Sequence, residues 1–183
     1  IPIHKKDSKL CCDNYRPISL ISNISKLLEK IMYLRLYEFL SLNKSISNLQ
    51  FGFRTNHSTS HALLSLTEKI REALDSGQFA CGVFIDLQKA FDSVDLNILL
   101  KKLEFYGIRG TPNNWFNSYL HGREQFVTID GFKSSHKNIK YGVPQGSVLG
   151  PLLFLILIYD LNVSVKTSTV HHFADDTNIL HAN

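Results

Sequence analysis

The chain has 183 residues, 44% of them hydrophobic and 20% charged, with 10 glycines and 5 prolines. That length and balance describe one globular domain, or two lobes on one core, and exclude disordered, collagen-like and low-complexity classes. The net charge of +4 is uneven: residues 1–72 carry 11 Lys/Arg against 6 Asp/Glu, and residues 73–183 carry 9 against 10. A basic front half suits a polyanionic partner, with a solvated lysine face as the plainer reading.

The longest apolar run, Val148 to Ile158, spans 11 residues and contains Gly150 and Pro151, well short of the roughly 18 that a bilayer span requires, so no membrane partner is expected. Of the three cysteines, Cys11 and Cys12 are adjacent and Cys81 lies in an apolar stretch. This spacing offers neither a disulfide framework nor a zinc site and points to a reducing compartment. The chain opens on Ile1 with no apolar signal segment, and its only methionine is Met32, which predicts a piece of a longer polypeptide.

In chain order, Ile24, Leu27, Leu28, Ile31 and Leu34 recur at helical spacing behind Ser22, predicting an amphipathic helix over 23–42. A second helix is expected over 58–75, with Leu63, Leu66, Ile70, Ala73 and Leu74 on one face and Gly77 ending it. Residues 79–85, Phe-Ala-Cys-Gly-Val-Phe-Ile, read as a buried strand that delivers Asp86 at its end. Leu96, Leu99, Leu100 and Leu103 form the next helical stripe, closed by Gly107. Pro112 and Gly122 bracket a short helix carrying Trp115, Phe116 and Tyr119. Residues 123–141 read as a hairpin turning at Asp130-Gly131, with Lys133, Lys137 and Lys140 on its second arm. A buried helix is expected from near Ser147 to Ile158, then a final hairpin of 169–174 and 177–181 bent at Asp175-Asp176.

Three carboxylates follow apolar strands: Asp86 after Val83-Phe84-Ile85, and Asp175 with Asp176 after Val170-His171-His172-Phe173. If those strands are neighbours, three negative charges meet, an arrangement that divalent cations stabilise and that suits two-metal phosphoryl transfer. An Asp-Asp turn that bonds only its own backbone is the plain alternative. His57 and His61 lie four apart, but Ser58 stands where a zinc-protease pattern has its Glu, which removes that reading. On a strand, His171 and His172 would face opposite sides of the sheet.

Five ordered blocks carry a resemblance. They are residues 14–20 (Asn-Tyr-Arg-Pro-Ile-Ser-Leu), 50–54 (Gln-Phe-Gly-Phe-Arg), 84–95 around Asp86, 142–151 (Gly-Val-Pro-Gln-Gly-Ser-Val-Leu-Gly-Pro) and 173–176 (Phe-Ala-Asp-Asp). Together they resemble the reverse transcriptase of non-LTR (LINE-type) retrotransposons over nearly the whole chain. The resemblance implies an α+β fold, the fingers and palm of a right-hand polymerase, with a small antiparallel palm sheet backed by helices. Fingers would occupy 1–78 and 109–141, palm 79–108 and 142–183. The thumb and endonuclease segments of a parent polyprotein would lie outside.

The implied activity is that of an RNA-directed DNA polymerase, joining a dNTP to a DNA primer 3′-OH on an RNA template with two Mg2+ ions, or Mn2+ in their place. By resemblance Asp86, Asp175 and Asp176 are catalytic metal ligands, joined by the Leu87 carbonyl. Phe91 lies beneath the incoming sugar as a gate against a 2′-hydroxyl, with core packing as its alternative. Gln145 touches the nucleotide or caps a buried helix. Arg16, Lys5 and Lys6 face the triphosphate, and Arg54 the template phosphate or the pocket wall. Asp92 and Asp95 read as helix caps. The expected place of work is intracellular, in nucleus and cytoplasm.

The rival from another class is a catalytically inactive nucleic-acid-binding remnant. A maturase that mainly binds intron RNA is a further rival. An RNA-templated RNA polymerase would share the acids, but Ala174 and Phe91 stand against it.

Overall fold

The Ser22 hydroxyl accepts a hydrogen bond from the Ser25 N–H at 3.1 Å and starts helix α1 (Asn23–Leu42). Ser58 does the same through the His61 N–H for α2 (Thr59–Asp75), which ends where Gly77 turns at φ +72°. In the computed structural model, which describes residues 1–183, these helices follow a small hairpin of β1 (Pro2–His4) and β2 (Tyr15–Pro17). Strand β3 (Ala80–Ile85) comes next, then α3 (Leu96–Phe105) and α4 (Thr111–Leu120).

Four short strands nest as one hairpin. Strands β5 (Thr128–Ile129) and β6 (Phe132–Lys133) flank Asp130-Gly131, while β4 (Glu124–Gln125) pairs with β7 (Lys137–Asn138) outside them. Both turn residues have positive φ, +50° and +84°, as a two-residue hairpin turn requires. Helices α5 (Gly150–Ile158) and α6 (Asp160–Ser164) lead into β8 (Thr169–Phe173) and β9 (Asp176–Ala182). Strands β3, β9 and β8 form an antiparallel sheet in that order.

The core lies among the helices. Leu36 and Leu40 of α1, Leu99 and Leu103 of α3, Phe116 and Leu120 of α4, and Leu152, Leu153, Phe154 and Ile156 of α5 form one buried cluster. Helix α5 is apolar all round and almost fully enclosed, the state in which such a helix is stable in water. It begins at Gly150, later than the expected start near Ser147, whose hydroxyl accepts the Gly150 N–H from the turn just ahead of the helix. No helix is long and apolar enough to cross a membrane.

Two expectations about burial are corrected. The stripe Ile24, Leu27, Leu28, Ile31 and Leu34 faces outward, with Ile24 75% exposed. Helix α1 instead packs through a second stripe, Met32, Tyr33, Leu36, Tyr37 and Leu40. Strand β3 is an edge strand and is largely exposed, Phe84 at 69%, so the expected buried strand is not found and Cys81 is also on the surface. The histidines of β8 are both buried, against different neighbours. His171 Nε2 shares a hydrogen bond with Ser65 Oγ of α2, and His172 Nδ1 with Thr177 Oγ1. Helix α2 covers one side of the strand, and the segment through Gln50 runs parallel beside it.

Burial lowers the pKa of both rings, that of His172 to about 4 from an ordinary value of 6.5, with the neighbouring His171 adding to the effect. The unfolded chain therefore binds more protons between those two pH values. The stability from neutral His172 is fully present above about pH 6.5 and is lost as pH falls toward 4. Chemical denaturation at a series of pH values should show this decline, and His172→Gln should flatten it. An unchanged slope in that variant would assign the acid sensitivity elsewhere.

Candidate active site

Strand β9 pairs with β3 on one side and β8 on the other. Ile85 lies opposite Thr177 in that register, so the next pair outward is Asp86 and Asp176. Asp175 sits at the tip of the two-residue turn between Phe173 and Asp176. The sheet thus brings all three acids to one end. Burial, and then the charges of Asp175 and Asp86, raise the Asp176 carboxyl above its ordinary value. Like charges placed this closely repel, and a bound cation would relieve them.

The donor set is all oxygen, which suits magnesium. The side chains are not drawn into a closed cage: no group of three or more His, Cys, Asp or Glu forms a metal-holding cluster. The residues fit an ion in kind and in their place at one end of the sheet.

The strand turns into the site through Leu87, which is 41% exposed. Ala90 is buried behind it, and Phe91 stacks on Phe154 with ring centroids 4.7 Å apart and meets Phe53 edge-on at 5.9 Å. Phe91 is therefore half-buried and packed against the core, in line with the packing alternative. Asp95 caps α3 by accepting from the Asn97 and Ile98 N–H groups, as expected.

Asp92 is not a helix cap. Its Oδ1 accepts from Gln145 Nε2 at 2.9 Å and ties the Asp86 loop to the 142–149 loop. Gly142 lies so close to Asp92 that an added Cβ would sit 2.9 Å from its Cα, and its φ of +87° suits glycine. Gln145 also fixes the first hairpin, its carbonyl accepting from the Ser19 N–H at 2.8 Å. Lys89 pairs with Asp13 at 2.6 Å and holds that hairpin from the other side. Lys5, Lys6 and Arg16 are exposed on the hairpin and take part in no salt bridge.

Arg54 is engaged inside the protein. Its Nη1 donates to the carbonyls of Ser47 and Gln50 at 2.7 and 3.2 Å, and its Nε is buried. These bonds staple its own loop and leave Arg54 as part of the wall there, the second of its two expected places.

Glu29 is a residue that sequence reasoning missed. It is 1% exposed, and its Oε2 accepts from the Val148 and Leu149 N–H groups at 2.6 and 3.3 Å, just ahead of α5. A carboxylate at a helix start is favoured by the amide dipoles. Its charge acts together with burial to raise the Tyr119 phenol, and Arg123, held by the Gly142 and Leu120 carbonyls, lies within its field. The available signal was its place at helical spacing from Tyr33, Leu36 and Leu40 in the second stripe of α1.

Residues 3–183 match the family described as Reverse transcriptase (RNA-dependent DNA polymerase). The chain belongs to the reverse transcriptase family. Among its relatives, it is 36% identical over 178 residues to the RNA-directed DNA polymerase from mobile element jockey of Drosophila melanogaster, covering 92% of this chain and 19% of that protein. It is 37% identical over 169 residues to the probable RNA-directed DNA polymerase from transposon BS of the same fly, covering 89% and 17%. The chain spans about a fifth of the length of these curated relatives.

In fold this reverse transcriptase chain is similar to apo telomerase from Candida tropicalis truncated from its C-terminal domain. The TM-score is 0.57 at 14% identity, over 84% of this chain and 33% of that one. A second telomerase structure from that organism, in complex with the TWJ fragment of telomeric RNA, matches with the same TM-score over 88% and 29%. The mixed helices and small antiparallel sheets are those of a polymerase fingers and palm fragment. Reverse transcriptases generally use divalent metals.

Proposed function

We propose that the chain is the catalytic fingers and palm of an RNA-directed DNA polymerase, with fingers over 1–78 and 109–141 and palm over 79–108 and 142–183. The observation that carries this reading is the meeting of Asp86, Asp175 and Asp176 at one end of the β3-β9-β8 sheet. Asp176 opens β9, Asp86 directly follows β3 and Asp175 stands in the two-residue turn between β8 and β9, so each is held within one residue of the sheet, as precise placement of reacting atoms requires.

In the proposed reaction the primer 3′-oxygen forms a bond to the α-phosphorus of a dNTP, the bond from that phosphorus to the bridging oxygen breaks, and pyrophosphate leaves. Asp86, Asp175 and Asp176, with the Leu87 carbonyl, would hold two Mg2+ ions, or Mn2+. Bound there, the ions would lower the pKa of the attacking 3′-hydroxyl, whose proton passes to solvent, and would neutralise the charge that develops on the leaving group. Arg16, Lys5 and Lys6 project from the hairpin that Ser19–Gln145 and Lys89–Asp13 tie to the site, and would bind the triphosphate. Gln145, oriented by Asp92, would contact the nucleotide. Arg54 borders a recess with Lys44, Asn48 and Tyr159 and would meet template there as part of the pocket wall.

RNA as template rests on the family and on the telomerase likeness, DNA as primer on the family alone. The proposed place of work is the nucleus and cytoplasm. Thumb and endonuclease segments would belong to the parent polyprotein.

Phe91 would be the sugar gate. Phe91→Val, which keeps a branched apolar group against Phe154, should raise ribonucleotide use relative to deoxyribonucleotide use by about tenfold, worth about 1.4 kcal/mol. Single-nucleotide incorporation with paired dNTP and rNTP measures it, and an unchanged ratio would remove the gate. The whole reading is tested by magnesium-dependent primer extension on an RNA template, with the chain alone and extended to the length of its relatives. A folded, extended protein that binds template without extending primer would establish the inactive remnant instead.

A further inference from the structure

We infer that Gln50 is a positioning residue for the acid-bearing turn, an inference that rests on the polymerase reading above. The turn contains a strained residue: Ala174 has φ +57° without being glycine. A side chain in that region costs on the order of 1 kcal/mol and persists only where its surroundings hold it. Those surroundings come from a segment 124 residues earlier in the chain.

Gln50 is 4% exposed, and its Oε1 accepts from both the Ala174 N–H at 3.0 Å and the Gly52 N–H at 2.8 Å. Its Nε2 donates to the Ala174 carbonyl at 3.4 Å. One amide thus grips both backbone groups of the residue preceding Asp175. The backbone on either side closes the grip: the His172 N–H donates to the Leu49 carbonyl, and the Phe51 N–H donates to the His172 carbonyl, each at 2.8 Å. Gly52 completes it, because a Cβ there would sit 2.1 Å from the Ala174 nitrogen. Only glycine permits this approach.

A strained turn tip released from these bonds relaxes, and Asp175 and Asp176 relax with it. Misplacing a reacting group by about 1 Å can cost about 100-fold in rate. The test compares Gln50→Asn, Ala174→Gly and their combination, with Asp175→Asn as the control. Asn keeps a polar amide in the buried site but is one methylene too short to reach Gly52 and Ala174 together. Two readouts are used: kcat and dNTP KM for primer extension by the protein extended to the length of its relatives, and Mn2+ affinity of the same protein followed by the loss of free-ion EPR signal.

At a temperature where each variant is fully folded, Gln50→Asn should lower kcat by about 10- to 100-fold and weaken Mn2+ binding, with dNTP KM changed by less than about threefold. In the Ala174→Gly background, where the turn holds its own conformation, the same substitution should lose about threefold or less, a non-additivity that a purely structural role would not produce. Equal losses in both backgrounds, or a folded Gln50→Asn with wild-type kcat and Mn2+ affinity, would overturn the clamp. So would a Gln50→Asn that unfolds in both backgrounds, since the amide would then hold the fold and not the turn. If Asp175→Asn also leaves extension and Mn2+ binding unchanged, the assignment of the acids fails, whatever Gln50 does.

Discussion

Asp175→Asn should abolish primer extension, by roughly 10³-fold or more, while leaving the melting temperature unchanged or slightly raised. The carboxylate stands at the tip of a two-residue turn, and no side-chain hydrogen bond depends on it. What the substitution removes is charge. Asp176, raised by burial and then by the charges of Asp175 and Asp86, loses one of its two like-charge neighbours and titrates closer to its ordinary value. The folded state is relieved of repulsion, and the reaction loses a ligand aimed at the transferring phosphoryl group. Extension assays and thermal melts on the same preparation separate the two effects. Residual extension within tenfold of wild type would show that Asp175 does not hold the ion.

Glu29→Ala is expected to be the most damaging single change outside the acids, lowering stability by about 3 kcal/mol. The carboxylate is almost wholly enclosed and satisfies two backbone N–H groups at the entrance to α5. Removing it leaves one buried and one part-buried donor unpaired, the buried one worth about 1–3 kcal/mol, and a cavity between α1 and the 142–149 loop. Glu29→Gln keeps an acceptor and the volume and should lose about half as much. Because the same loop carries Gln145 and its bond to Asp92, the rate should fall further than the folded fraction explains. Urea unfolding gives the stability, with an unchanged slope showing that the transition remains two-state. A loss below 1 kcal/mol would mean that the two N–H groups find other partners.

Element existence was written locally and was therefore legible. Ser22 and Ser58 cap their helices through neighbours three residues on, and Asp130-Gly131 turns its hairpin through its own φ angles. Strand ends carrying Asp86, Asp175 and Asp176 could be read as well, because an apolar run that stops at an acid is visible in sequence. Their meeting was conditional, since strand adjacency belongs to the sheet. The five motif blocks supplied the family, which the match over 3–183 establishes.

Burial was a different matter. Helix α1 has two apolar stripes, and periodicity alone did not tell which one meets the core. Likewise, β3 has the composition of a buried strand but occupies a sheet edge. Both outcomes depend on what packs against the element, which is a property of the whole chain.

The sequence by itself determined the elements, their caps and turns, the three acids and the family, because each rests on neighbours a few residues apart or on an ordered string of motifs. Only the tertiary structure decided the supports of the site: Glu29 beneath α5, Asp92 on Gln145, and Gln50 on Ala174, joined across 119, 53 and 124 residues. A hydrogen bond between such distant residues leaves no periodic trace. The loop closures that bring them together are bought by burying the helical core, and the bonds form where that core places their partners.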